Sequence, residues 1–109
     1  MIPDYDRKFT KLWRQQGGMC AISGERLEAF RFNFDLHHIL ADSKVNRKLY
    51  PYFIDSLWNL QIVNHGSHMT KPKQKHPPYH VIARAESMLA GDPEVQWRMT
   101  FDEAFSELS

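Results

Sequence analysis

Two short strand-like runs, a long connection between them and room for one helix after the second constrain this chain more than any other feature of its sequence. Phe30, Phe32 and Phe34 alternate into a strand that ends on the pair His37-His38, and Leu60-Gln61-Ile62-Val63 forms a second run with β-branched residues. Between them, residues 40–58 begin polar and then carry Leu49, Tyr50, Tyr52, Phe53, Ile54, Leu57 and Trp58, enough apolar mass to pack. After Asn64 the sequence has room for a helix that Pro72 limits or kinks. The order is strand, long connection, strand, helix.

The flanks read as helical. Tyr5, Phe9, Leu12 and Trp13 recur at helical spacing, Pro3 suits a first turn, and Gly17-Gly18 supplies a stop, predicting an amphipathic helix over residues 4–16. Met19 to Arg26 reads as a short strand with a tight turn at Ser23-Gly24. Lys71 to Pro78 is a stiff basic connector, residues 79–90 read as a helix ending at Gly91, and Asp92-Pro93 opens another short helix. Thr100-Phe101-Asp102-Glu103 fits a capping box starting a last helix with Phe101, Ala104, Phe105 and Leu108 on one side. With 109 residues, 42% of them apolar and 25% charged, the chain has the size of one α+β domain with one core.

No stretch approaches the roughly 20 apolar residues that span a bilayer, so no membrane partner is expected and the location expected is intracellular, in the cytoplasm. A single cysteine, Cys20, cannot form an internal disulfide, which fits a reducing compartment. Net charge is only +1, but it is segregated. Lys44, Arg47, Lys48, Lys71, Lys73 and Lys75 face only Asp55 between residues 44 and 76, whereas Glu86, Asp92, Glu94, Asp102, Glu103 and Glu107 face only Arg98 beyond residue 86. The basic stretch brackets the histidines, where a phosphate backbone would lie; the plain alternative is a solvated surface.

Histidine can take a proton from water near neutral pH or bind a transition metal as neutral imidazole. Two adjacent histidines at a strand end, followed by Asn59 and then His68 within Asn59-Leu60-Gln61-Ile62-Val63-Asn64-His65-Gly66-Ser67-His68-Met69-Thr70-Lys71, are hard to explain as packing alone. At these residues the chain resembles the HNH (ββα-metal) endonucleases, from about Gln16 to Lys71. In that family a strand ends in an Asp-His or His-His pair, an Asn-Leu-Gln segment forms the second strand, and a helix carries a final His or Asn shortly before a Lys.

The resemblance implies a ββα-metal core over about residues 16–71 within a single domain spanning residues 1–109, an N-terminal helix, and a C-terminal helical extension over about 79–109. It implies a DNA endonuclease with a one-metal mechanism, hydrolysing phosphodiester bonds to 5′-phosphate and 3′-hydroxyl ends. His38 would be the general base, Asn59 would fix the connection and orient that base, and His37 and His68 would be metal ligands. The metal would bind the scissile phosphate and stabilise the leaving 3′ oxygen. Lys71 is a candidate phosphate contact, with Lys73, Lys75, Arg47 and Lys48 as further nucleic-acid contacts. The small size suggests, by analogy alone, a phage or mobile-element nicking enzyme, and the acidic C-terminal helices could dock onto a phage or host complex.

Two departures from the family pattern matter. Many members hold a structural zinc with two Cys-x-x-Cys pairs; here those positions read Cys20-x-x-Ser23 and Asn64-x-x-Ser67, so no structural zinc is expected, and Trp58, Phe53 and the N-terminal helix are expected to hold the motif instead. His37 replaces the commoner Asp, and imidazole suits zinc, nickel, cobalt or manganese better than magnesium, so the divalent ion is left open among Mg, Mn, Ni, Co and Zn. His65 is a candidate metal ligand or DNA-facing side chain, while His76 and His80 beside prolines read as surface residues. Cys20 reads as a small core residue and the aromatic run from Leu49 to Trp58 as core rather than a base-stacking surface. The competing functional classes are a catalytically inactive HNH-like module that binds nucleic acid or protein, and a structural metal domain in which His37 and His68 belong to a closed site.

Overall fold

The computed structural model describes residues 2–27, 34–65 and 75–106. They form α1 (Tyr5–Gln16), β1 (Phe34–His38), α2 (Lys44–Leu49), a 3-10 turn (Leu57–Asn59), β2 (Leu60–Asn64), α3 (Tyr79–Gly91), α4 (Val95–Arg98) and α5 (Phe101–Phe105). The chain is therefore a small α+β protein with one two-stranded antiparallel sheet among the described residues. It divides into two compact units, Met1–Ile39 with Leu60–Gln74 and Leu40–Asn59 with Lys75–Ser109.

In the first unit, the helical spacing of Tyr5, Phe9 and Trp13 makes an aromatic stripe along α1. Phe9 and Trp13 lie against Phe34 of β1, with ring centroids 5.2 and 6.1 Å apart, and Leu12 is buried beside them. Gly17 ends the helix at φ 62°, a left-handed conformation that costs glycine nothing, and its N–H returns to the Arg14 carbonyl.

The segment after α1 corrects the expectation of a strand. Met19 and Arg26 form one isolated antiparallel bridge, and Ala21 to Ser23 make a turn. Gly24 at φ 73° lets the chain reverse so tightly that its N–H donates to the Cys20 carbonyl, leaving no length for a ladder.

β1 and β2 pair in the register Phe34 with Asn64, Asp35 with Val63, Leu36 with Ile62, His37 with Gln61 and His38 with Leu60. Alternation puts Phe34, Leu36 and His38 on one face with Leu60, Ile62 and Asn64, and Asp35 and His37 on the other with Gln61 and Val63. The far edge of β2 is covered. Gln16 Oε1 accepts the Ile62 N–H at 2.8 Å, and its Nε2 donates to the carbonyls of Ile62 and Met19, each at 2.8 Å. A side-chain amide thus occupies backbone groups that would otherwise template another strand.

In the second unit, α3 buries Val81, Ile82, Ala85 and Leu89 among Leu40, Phe53, Ile54, Trp58 and Phe105. The polar start of the connection holds a helix where the sequence reads as loop: Ser43 caps α2 by accepting the Asn46 N–H at 3.1 Å. Glu86 accepts the backbone N–H groups of Tyr52 and Phe53, and Trp58 Nε1–H donates to the Met99 carbonyl at 2.9 Å. Thr100 caps α5 through the Glu103 N–H, the Thr half of the expected capping box. Phe53 and Trp58 belong to this helical core, where they pack with α3 and α5, and α1 packs on the hairpin.

Candidate active site

The strand ends where the sequence reading has it end, on His37-His38. His37 is buried and opposite Gln61; His38 is half-buried and opposite Leu60. As neighbours on a strand they leave from opposite faces of the sheet. Gln61 Nε2, opposite His37, is buried without a hydrogen-bond partner among the described residues.

Asn59 is fully buried immediately before β2. Its Oδ1 accepts the Leu40 N–H at 2.7 Å, and its Nδ2 donates to the carbonyls of Leu40 at 3.1 Å and Ile54 at 2.9 Å. The long connection is closed at its two ends by one side chain, Leu40 standing two residues after His38 in sequence and Asn59 one before Leu60. The geometry is a support role: Asn59 spends its polar atoms on backbone.

His65 follows β2 and meets a residue that sequence reading did not single out. Its Nδ1 lies 2.9 Å from Asp35 Oδ2, a carboxylate on the same strand face as His37. The signal available in the sequence was the alternation Asp35-x-His37, which places both on one side of a strand.

The two positions where the resemblance expects cysteine pairs are joined by hydrogen bonds. Cys20 Sγ accepts the N–H of Ser23 at 3.5 Å and of Asn64 at 3.3 Å; Ser67 lies outside the described residues. Burial pushes the Cys20 thiol up, but hydrogen bonds from the Ser23 side chain and from the backbone of Ser23, Asn64 and Ile22 outweigh it and bring the thiol down to about 7.

Of the basic residues, Arg47 is committed within its own unit. Its Nη1 and Nη2 donate to Asp55 at 2.9 and 3.1 Å and its Nε donates to Asp42, contacts that raise its pKa further above its ordinary value, Asp42 contributing most. Lys48 and Lys75 are exposed. His76 packs on Tyr79 with centroids 4.8 Å apart, and His80 is exposed. His68, Lys71 and Lys73 lie outside the described residues.

The resemblance implies a divalent metal, which needs several converging donors. Among the described residues no three His, Cys, Asp or Glu side chains come together as a cage. What the described residues show is a buried imidazole, His37, at one end of the hairpin and an exposed one, His65, beside Asp35 at the other. Among the described residues no helix is long and apolar enough to cross a membrane. The chain matches no protein-family model, no curated protein and no solved structure.

Proposed function

We propose that the chain is a metal-dependent DNA endonuclease of the HNH type. One observation carries the reading: an antiparallel hairpin whose first strand ends on His37-His38 and whose second begins directly after a buried Asn59 that ties the intervening connection shut. A lone histidine on a strand is commonly structural, but a histidine pair at a strand end with a buried carboxamide bracing the connection matches the division between chemistry and support that this nuclease centre requires.

In this reading His38 is the general base. The water oxygen bonds to phosphorus as its proton passes to the His38 imidazole, and the bond from phosphorus to the 3′ oxygen breaks, that oxygen taking a proton from solvent water, to leave 5′-phosphate and 3′-hydroxyl ends. Asn59 keeps the strand ends in place by holding the connection, and lysines of the basic stretch, Lys48 and Lys75 among the described ones, neutralise the DNA backbone. His37 and His68 would hold the divalent ion, which when bound supplies Lewis-acid polarisation of the phosphate.

Cleavage of supercoiled plasmid tests it, using protein stripped by chelator and given magnesium, manganese, cobalt, nickel or zinc separately. Wild type should nick with at least one ion, and His38→Ala should lose about 10²- to 10⁴-fold in rate while still binding DNA. DNA binding without cleavage under every ion would replace the nuclease by a binding module.

A further inference from the structure

We infer that His76, Tyr79 and Tyr50, with Lys48 and Lys75 close by in sequence, form a stacking surface for the bases of a single-stranded nucleic acid. The inference rests on the nuclease reading for its choice of polymer and deepens it by naming the form of strand held. All five residues belong to the second unit.

The aromatic run from Leu49 to Trp58 divides. Phe53, Ile54, Leu57 and Trp58 are buried, whereas Leu49 is 57% and Tyr52 49% exposed. The ring of half-buried Tyr50 lies 6.5 Å from that of Tyr79 between centroids, the planes within 18° of one another, and Tyr79 is itself 57% exposed. His76 packs on Tyr79 with centroids 4.8 Å apart. Tyr50 only borders the buried core around α3 and Tyr79 takes no part in it, so core packing does not account for this row of touching rings.

The row is set before anything binds. His76 Nδ1–H donates to the Pro77 carbonyl at 2.7 Å, the Pro77-Pro78 pair restricts the backbone, and Tyr79 is the first residue of α3. Rings held in this way lose little freedom when a ligand stacks on them.

Charge selects the ligand. In residues 40–59 and 75–91 the acids are Asp42, Asp55 and Glu86. All three are engaged: Asp42 and Asp55 accept from Arg47, and Glu86 accepts the backbone N–H groups of Tyr52 and Phe53. Lys48 and Lys75 are exposed, two residues before Tyr50 and one before His76. The partner that suits this surface brings flat π faces and negative charge together, which is the chemistry of an unpaired strand; a duplex keeps its base faces stacked inside.

Anisotropy of a labelled oligothymidylate, in chelator so that nothing is cut, tests this. Tyr79→Ala should weaken binding about 10- to 100-fold with an unchanged salt slope, and Tyr79→Phe should restore it to within about threefold, since stacking needs the ring and not the hydroxyl. Lys75→Ala should instead lower the slope by about 0.7. A duplex of the same length should lose less than about threefold on Tyr79→Ala. In wild type, with no variant needed, the ring-proton resonances of Tyr79 and Tyr50 should move upfield as the oligonucleotide is added. No binding by wild type, wild-type affinity in Tyr79→Ala, an equal loss for the duplex, or unshifted tyrosine resonances overturns the inference. So does a concentration-dependent dimer abolished by Tyr79→Ala, which gives the rings to a second copy of the chain. If wild type nicks plasmid with metal while Tyr79→Ala binds single strands normally, this inference falls and the nuclease reading stands; if Tyr79 governs single-strand binding but no ion brings cleavage, the nuclease reading falls and the stacking surface stands.

Discussion

Asn59 grips Leu40 by both of its backbone groups, accepting the N–H at 2.7 Å and donating to the carbonyl at 3.1 Å, with the remaining Nδ2 hydrogen on Ile54. Asn59→Ala would leave an N–H and two carbonyls buried and unpaired. Each such group costs about 1–3 kcal/mol, so with partial relaxation the loss should be about 3–5 kcal/mol, a large share of the stability of a small domain. Asn59→Asp keeps the acceptor but sets a negative charge against two carbonyl oxygens and should be similarly destabilising. Urea denaturation midpoints check this, and a loss under about 1 kcal/mol for both variants would show that other contacts hold the connection.

Gln16 treats Ile62 as Asn59 treats Leu40, satisfying N–H and carbonyl at once from the end of α1. Gln16→Ala should cost about 1–2 kcal/mol and expose the edge of β2. The informative readout is hydrogen exchange at the Ile62 amide, which should accelerate by more than the global loss of stability accounts for. Equal acceleration across α1 and β2 would mean that the glutamine stabilises the unit generally and does not guard the edge.

Cys20 gives a pH dependence with a definite sign. Its folded-state thiol is lowered from an ordinary value of 9.0 to about 7, burial opposing and hydrogen bonds from Ser23, Asn64 and Ile22 prevailing. A depressed folded pKa stabilises the fold above the unfolded value and loses that contribution as pH falls through the folded one. The stability difference between wild type and Cys20→Ala should therefore grow between pH 7 and pH 9, by on the order of 2 kcal/mol. Chemical denaturation of both proteins across that range measures it. A difference that is flat with pH would show that the sulfur stays protonated and acts as an apolar core atom.

Much of the architecture was legible because it is local. Helical spacing located α1 and α3, Gly17 marked a stop, and β-branched residues with a histidine pair at the strand end located the hairpin. The connection was less legible. α2 is short and polar, and its one clear sign is Ser43 capping Asn46, easily mistaken for a turn. Met19 to Arg26 failed as a strand because a positive-φ Gly24 and a sulfur acceptor outweigh the apolar pattern. At the candidate site, Asp35 escaped notice since its meaning depends on a partner 30 residues away, and Gln16 because its partner, Ile62, is 46 away. Such contacts are set by the fold, and no window of sequence contains them.

Arg47, Lys48 and Lys75 lie in one basic stretch of sequence, yet the structure gives them different tasks, and salt dependence of DNA binding separates them. Lys48 and Lys75 are exposed, so each replaced by Ala should weaken binding across sequences and lower the slope of log affinity against log salt by about 1 if it meets a phosphate. Arg47 donates through Nη1 and Nη2 to Asp55, which is largely buried, and through Nε to Asp42. Arg47→Ala should leave the salt slope nearly unchanged and lower stability instead, because it removes two charge-assisted hydrogen bonds from a carboxylate of low exposure. Arg47→Lys would not repair this, since an ammonium cannot reproduce a fork shared between two carboxylates. Fluorescence anisotropy with a labelled duplex in chelator, at several salt concentrations, supplies the slopes. A reduced slope for Arg47→Ala at undiminished stability would instead assign this arginine to the nucleic acid.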